Sequence, residues 1–152
     1  MHVPDRDLVA TLSAQTGDTP LVAAVYARFE TALSASRWLG PLGNYFVARP
    51  AARAAAQRVE ERTEVPLDAA VVLGLTASEL HVWAADPMRS HVDDHLGAVP
   101  LERIADVSAE VAKSWWPLTL TLTDGESVEV SARGDVRSFV SAFEQRAGRP
   151  AA

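Results

Sequence analysis

A mainly β domain with helices is predicted: seven short antiparallel strands in a sandwich or barrel, closed by a C-terminal helix. Three observations predict it. First, Leu118, Leu120 and Leu122 alternate with Thr119, Thr121 and Thr123, and Val128 and Val130 follow beyond Asp124-Gly125. Strict alternation marks strands with one face in a core and one in water. Second, Val136, Phe139, Val140 and Phe143 recur at i, i+3, i+4 and i+7, so they share one helical face. Third, short β-rich runs crowd together from Val65 onward, and so many short strands fit a sandwich or barrel.

The register of the last hairpin follows from its residues. A two-residue loop at Asp124-Gly125 would set Leu122 against Ser127 and Leu120 against Glu129. A three-residue loop, Thr123-Asp124-Gly125, sets Leu120 against Val128 and Leu118 against Val130. A slip of one residue would turn a whole face to water, so the three-residue loop is predicted. Such loops place their third residue in the left-handed region, and that residue is Gly125.

The other elements can be taken in chain order. Asp5 to Gln15 reads as a short helix with Leu8, Val9 and Leu12 on one side and Gly17 as its stop. Leu21 to Glu30, rich in Val, Tyr and Phe, reads as a first strand. Thr31 to Asn44 reads as a loop carrying an isolated Trp38. Pro50 suits the first turn of a helix reaching Arg62, whose thin stripe of Ala plus Val59 places it on the surface. Ala70–Leu75 and Leu80–Ala85 flank Thr76–Glu79 as a hairpin. Asp86–Leu96 is polar, contains Pro87 and reads as a loop. Ala98–Leu101 is a short strand whose Pro100 marks an edge. In Ile104–Val111 the set Ala105, Val107, Ala109 and Val111 is expected to face inward. The last residues, 148–152, are expected to be disordered.

Composition narrows the functional classes. The 152 residues fit one domain with an appended segment, 48% apolar and 22% charged, as in ordinary globular proteins. The nearest approach to a bilayer-spanning run, Leu67–Ala77, is too short and is broken by Asp68 and Thr76. Asp5 and Asp7 stand where a signal peptide would be basic, and there is no cysteine, so a cytoplasmic location is expected. Residues 1–64 carry seven basic and seven acidic side chains, and 65–152 carry seven and thirteen, which accounts for the net −6. An acidic surface repels phosphate backbones, so nucleic acid is not an expected partner.

The segments LGLTASELHVW (Leu73–Trp83), GAVPLERIADVSAEV (Gly97–Val111) and WPLTLTLTDGESVEVSARGDVRSFVSAFE (Trp116–Glu144) together resemble the bacterial pleckstrin-homology-like domains. These are small seven-stranded sheets capped by a C-terminal helix. The resemblance covers residues 20–147, strongest from 70 onward, and rests on the order and spacing of elements. It implies a domain over 20–147 preceded by a helical segment at 1–17, with residues 49–62 a helical insertion between the first two strands. It implies almost no chemistry.

Candidate sites follow, each with its plainer reading. Eukaryotic pleckstrin-homology domains that bind inositol phosphates use Lys and Arg around the loop after the first strand. The corresponding connection here holds Arg28, Arg37, Arg49 and Arg53, without a Lys-rich run; solvated surface arginines are the plainer account. His91-Val92-Asp93-Asp94-His95 gathers metal-ligand types, with His91, Asp93 and His95 as candidates, although such a stretch is more often simply polar. Trp115-Trp116, Trp83 and Trp38 offer aromatic surface for an interface; core filling accounts for at least one of the adjacent pair. No Cys nucleophile, Gly-rich phosphate loop or Gly-x-Ser-x-Gly elbow is present, and an enzyme is not expected. No cofactor is expected either. The preferred reading is a non-enzymatic module that binds a protein partner or itself, through exposed Trp38 or Trp115 or by adding a strand at the edge near Pro100. The runner-up is membrane attachment through the N-terminal helix with Trp38, Tyr45 and Phe46, and a third is metal binding at His91 and His95.

Overall fold

The hairpin that dominates the sequence lies at the heart of the sheet's second half. In the computed structural model, which describes residues 1–29 and 49–146, β6 (Trp116–Leu122) pairs antiparallel with β7 (Ser127–Arg133). Leu118 faces Val130 and Leu120 faces Val128, the register that the alternation predicts. The loop closes with Gly125 N–H donating to Leu122 O at 3.0 Å, and Gly125 has φ +93°.

Five further strands complete one antiparallel sheet: β1 (Ala23–Arg28), β2 (Ala70–Leu75), β3 (Glu79–Asp86), β4 (His91–Pro100) and β5 (Ile104–Ala109). The strand order is β4-β3-β2-β1-β7-β6-β5, so β4 and β5, consecutive in sequence, lie at opposite ends. Six steps of a flat sheet would separate them by about 29 Å. The link from Pro100 to Ile104 reaches at most about 14 Å, so the sheet must curl back on itself. It does not close: no strand pairing joins β4 to β5 among the described residues.

The curled sheet holds one core within it. Val25, Ala27, Val71, Leu73, Leu80, Val82, Leu118, Leu120, Val128 and Val130 all point there. The last helix, α3 (Val136–Arg146), buries Val136, Phe139 and Phe143 in the same core, as the helical spacing predicts. Asp135 starts that helix, accepting from Ser138 N at 3.2 Å and from Ser138 Oγ at 2.7 Å. Helix α2 (Arg49–Thr63) lies between β1 and β2 in sequence, mostly exposed, with Ala52 and Ala56 turned to the core.

A second, smaller core covers the outer face of β1–β4. The N-terminal segment, α1 (Leu8–Leu12) flanked by 3-10 turns at Asp5–Asp7 and Ser13–Gln15, buries Val3, Leu8 and Leu12 against Leu21, Ala24, Tyr26, Val72, Trp83 and Val92. This explains why β1 reads apolar on both faces: one side meets the inner core and the other meets α1. The apolar side of the N-terminal helix is thus spent on the sheet. Trp83 is fully buried there, not part of an exposed aromatic surface.

Three expectations need correction. Asp86–Leu96 is not a loop: after a 3-10 turn at Pro87–Arg89 the chain enters β4 at His91, and the Ala98–Leu101 strand is only that strand's far end. Polar residues there do not signal a loop, because β4 is an edge strand with 93–96 and 98 exposed. Two register shifts against β3 also break its alternation. In β5 Val107 and Ala109 do face the inner core, but Ile104 takes the place expected of Ala105, and Val111 is 70% exposed beyond the strand's end. A bulge between Ile104 and Asp106 changes the side on which the following residues fall. Trp38, Arg37, Tyr45, Phe46 and the 148–152 tail lie outside the described residues. No helix among the described residues is long and apolar enough to cross a membrane.

Candidate functional site

Among the described residues a concavity opens where β1 ends, β2 begins and β3 turns into β4. Its volume is about 380 Å³, at the lower end of the roughly 300–1,000 Å³ usual for ligand pockets. Six charged residues line it: Arg28 from the end of β1, Arg53 from α2, Asp68 before β2, Asp86 at the end of β3, Arg89 from the 3-10 turn and Asp93 from β4. Ala52, Ala69, Ala70, Ala84, Ala85, Pro87 and Met88 supply the apolar lining. Met88, 70% exposed, is the largest apolar side chain presented there to water.

Local chemistry fixes the charged groups. Asp86 precedes Pro87 and caps the turn, its Oδ1 accepting from Met88 N at 3.2 Å. Its other oxygen lies 3.9 Å from Arg89 Nε. Asp68 accepts from Ala69 N at 2.7 Å and from Arg53 Nε at 3.4 Å. Asp93 stands 3.0 Å from His91 Nδ1. Arg28 lays its guanidinium over the Trp115 ring, 3.8 Å from the centroid. Three guanidinium groups and three carboxylates therefore share the lining, so its formal charge is balanced.

The structure brings together residues that the sequence assigned to different sites. Arg28 and Arg53, singled out for lipid headgroups, and Asp93, singled out for a metal, line the same recess. Trp115, an interface candidate, is half-buried beneath Arg28, with Arg133 5.4 Å from its ring. Trp116 is also half-buried, with Arg137 5.4 Å from its ring. Pro100 is exposed at the end of the edge strand, and Arg49 begins α2. Asp68, Asp86, Met88 and Arg89 were not foreseen. Of these only Asp86-Pro87 carried a readable signal, the cap-then-proline start of a helical turn.

The three metal candidates do not converge. His91 pairs with Asp86 and His95 with Trp83 across the β3–β4 ladder, and an irregularity in register separates them. His91 turns to Asp93, whereas His95 Nε2 lies 2.9 Å from His81 Nδ1 on β3. No group of three or more His, Cys, Asp or Glu side chains among the described residues is placed to hold a metal ion. His81 itself is 7% exposed; burial first, and then His95, holds its imidazole below the ordinary range and so in the neutral form.

Compared with models of known protein families the chain matches none, and no curated protein matches it in sequence.

Proposed function

We propose that this chain is a non-enzymatic pleckstrin-homology-like module that binds a polypeptide partner, with the recess between β1, β2 and the β3–β4 turn as its docking point. The strand order and the capping helix support the family reading, and the charge-matched, apolar-floored recess supports the choice of partner. An inositol phosphate or anionic lipid calls for an excess of cations, and Asp68, Asp86 and Asp93 oppose it at the same opening. A polypeptide carries both signs of charge together with apolar side chains, and Met88 suits such a contact because its unbranched thioether adapts to varied shapes. Strand addition near Pro100 is less well supported: irregular pairing, Asp93, Asp94 and Pro100 itself are features that discourage edge pairing.

The test is a photo-crosslinking residue in place of Met88, with a control at Thr119 on β6, in cells of the source organism. A discrete polypeptide adduct is expected from position 88 alone, and it should disappear when Arg53→Glu and Arg89→Glu are combined. An adduct of twice the 16.3 kDa chain mass would make the partner a second copy. Flotation of the purified protein with anionic vesicles, abolished by the same charge reversals and unaccompanied by an adduct, would instead assign the recess to lipid headgroups.

A further inference from the structure

We propose that His81 and His95 form a divalent transition-metal site across β3 and β4, with Zn²⁺, Ni²⁺ or Cu²⁺ as the class of ion. His81 Nδ1 and His95 Nε2 face one another at 2.9 Å from adjacent strands. Two imidazole nitrogens on one tetrahedral ion, each about 2.0–2.1 Å from it, sit roughly 3.3 Å apart. The pair is therefore about 0.4 Å too close, a gap that rotation of the exposed His95 side chain can open.

A second observation concerns the far side of the buried ring. Glu79 Oε1 lies 3.8 Å from His81 Nε2, so a carboxylate stands behind the nitrogen that does not face His95. Metal-bound histidines commonly have such a partner, which keeps the hydrogen on the outer nitrogen and leaves the inner lone pair for the ion. At 3.8 Å the carboxylate is a charge contact short of a hydrogen bond. A small turn of the half-exposed Glu79 side chain would complete the pairing and favour Nδ1, the atom already turned toward His95, as the ligand. Trp83 walls the pair, its ring centroid 5.8 Å from His81 and 5.2 Å from His95, and its own N–H is occupied by Gln15 Oε1 at 3.0 Å. Two protein ligands leave the remaining coordination positions to water on the exposed His95 side. Imidazole suits these ions, whereas Ca²⁺ and Mg²⁺ require oxygen donors.

Zn²⁺ is titrated into the full-length protein at slightly alkaline pH, read by calorimetry and by the histidine ring resonances. The expected result is a saturable site that perturbs His81 and His95, is lost in His95→Ala, and is unchanged in His91→Ala. Because His95 is exposed, its replacement leaves the fold intact. Glu79→Gln should weaken binding about tenfold or more without abolishing it. Ring resonances of His81 and His95 that do not move, or binding that survives in His95→Ala, would overturn the proposal and leave the contact a simple hydrogen bond.

Discussion

Arg133 joins three parts of the chain that are distant in sequence. Its guanidinium donates to both oxygens of Asp5, at 3.0 and 2.9 Å, and to the Pro87 carbonyl at 2.9 Å. It also lies 5.0 Å from the Tyr26 ring centroid. The pair is only partly shielded, with side-chain exposures of 24% and 33%, so its worth falls between a surface and a buried pair. Arg133→Met is expected to cost about 1–2 kcal/mol in urea unfolding, and an unchanged midpoint would show the contact to be idle. Beneath it, the Tyr26 hydroxyl donates to the Val3 carbonyl at 2.5 Å. Burial first, then the Asp5 carboxylate, pushes its pKa from 10.0 to about 12, against the opposing pull of Arg133. The folded chain then keeps a proton that the unfolded chain gives up. Stability should be constant below pH 10 with respect to this group and fall between pH 10 and about 12. The loss amounts to roughly 2–3 kcal/mol. Tyr26→Phe should flatten that alkaline limb while costing about 1 kcal/mol at neutral pH for the lost hydrogen bond. None of this was legible in the letters. Arg133 and Asp5 meet only because β7 lies beside β1 and the N-terminal segment folds over both, and long-range pairings leave no local periodicity.

At the scale of elements, what could be read was what repeats locally. Hairpin β6–β7 and helix α3 each carry their own pattern, and the register with Leu120 against Val128 followed from the rule that only one alignment keeps leucines and valines together. Gly125→Ala tests the turn: a Cβ there meets nothing within 4 Å, so the cost is conformational alone. About 1 kcal/mol is expected, since left-handed backbone disfavours any residue with a Cβ. Strand β4 was misread because its information lies in its neighbours. An edge strand needs few apolar residues, and the irregular pairing with β3 displaces the few it has, Val92 and Val99, onto different cores. The same irregularity hid the candidate sites. His95 was read beside His91 along the chain, while the fold sets it beside His81 across it. Arg28, Arg53 and Asp93 stood out in the sequence, but for two different ligands and not as parts of one recess. Its assembly awaited knowledge of which strand ends come together.

For the whole molecule, one sheet separating two cores decides how the chain comes apart. Val25 and Ala27 belong to the inner core while Ala24 and Tyr26 belong to the outer one, and Leu73 and Val72 divide in the same way on β2. Neither core can open without exposing a face of strands that the other needs, so unfolding should be a single transition despite the separate N-terminal helix. Leu12→Ala, in the outer core and fully buried, should lose about 2–5 kcal/mol by removing apolar contacts and leaving a cavity. Phe139→Ala, in the inner core, should lose about 3–5 kcal/mol for the same reason. Both variants should shift the urea midpoint seen by tryptophan fluorescence and by far-ultraviolet circular dichroism together, with the slope unchanged. If the N-terminal segment were merely laid on a domain stable without it, Leu12→Ala would instead release Trp83 early. Fluorescence, to which that buried indole contributes alongside Trp38, Trp115 and Trp116, would then show a phase ahead of the loss of the sheet, and the two probes would part.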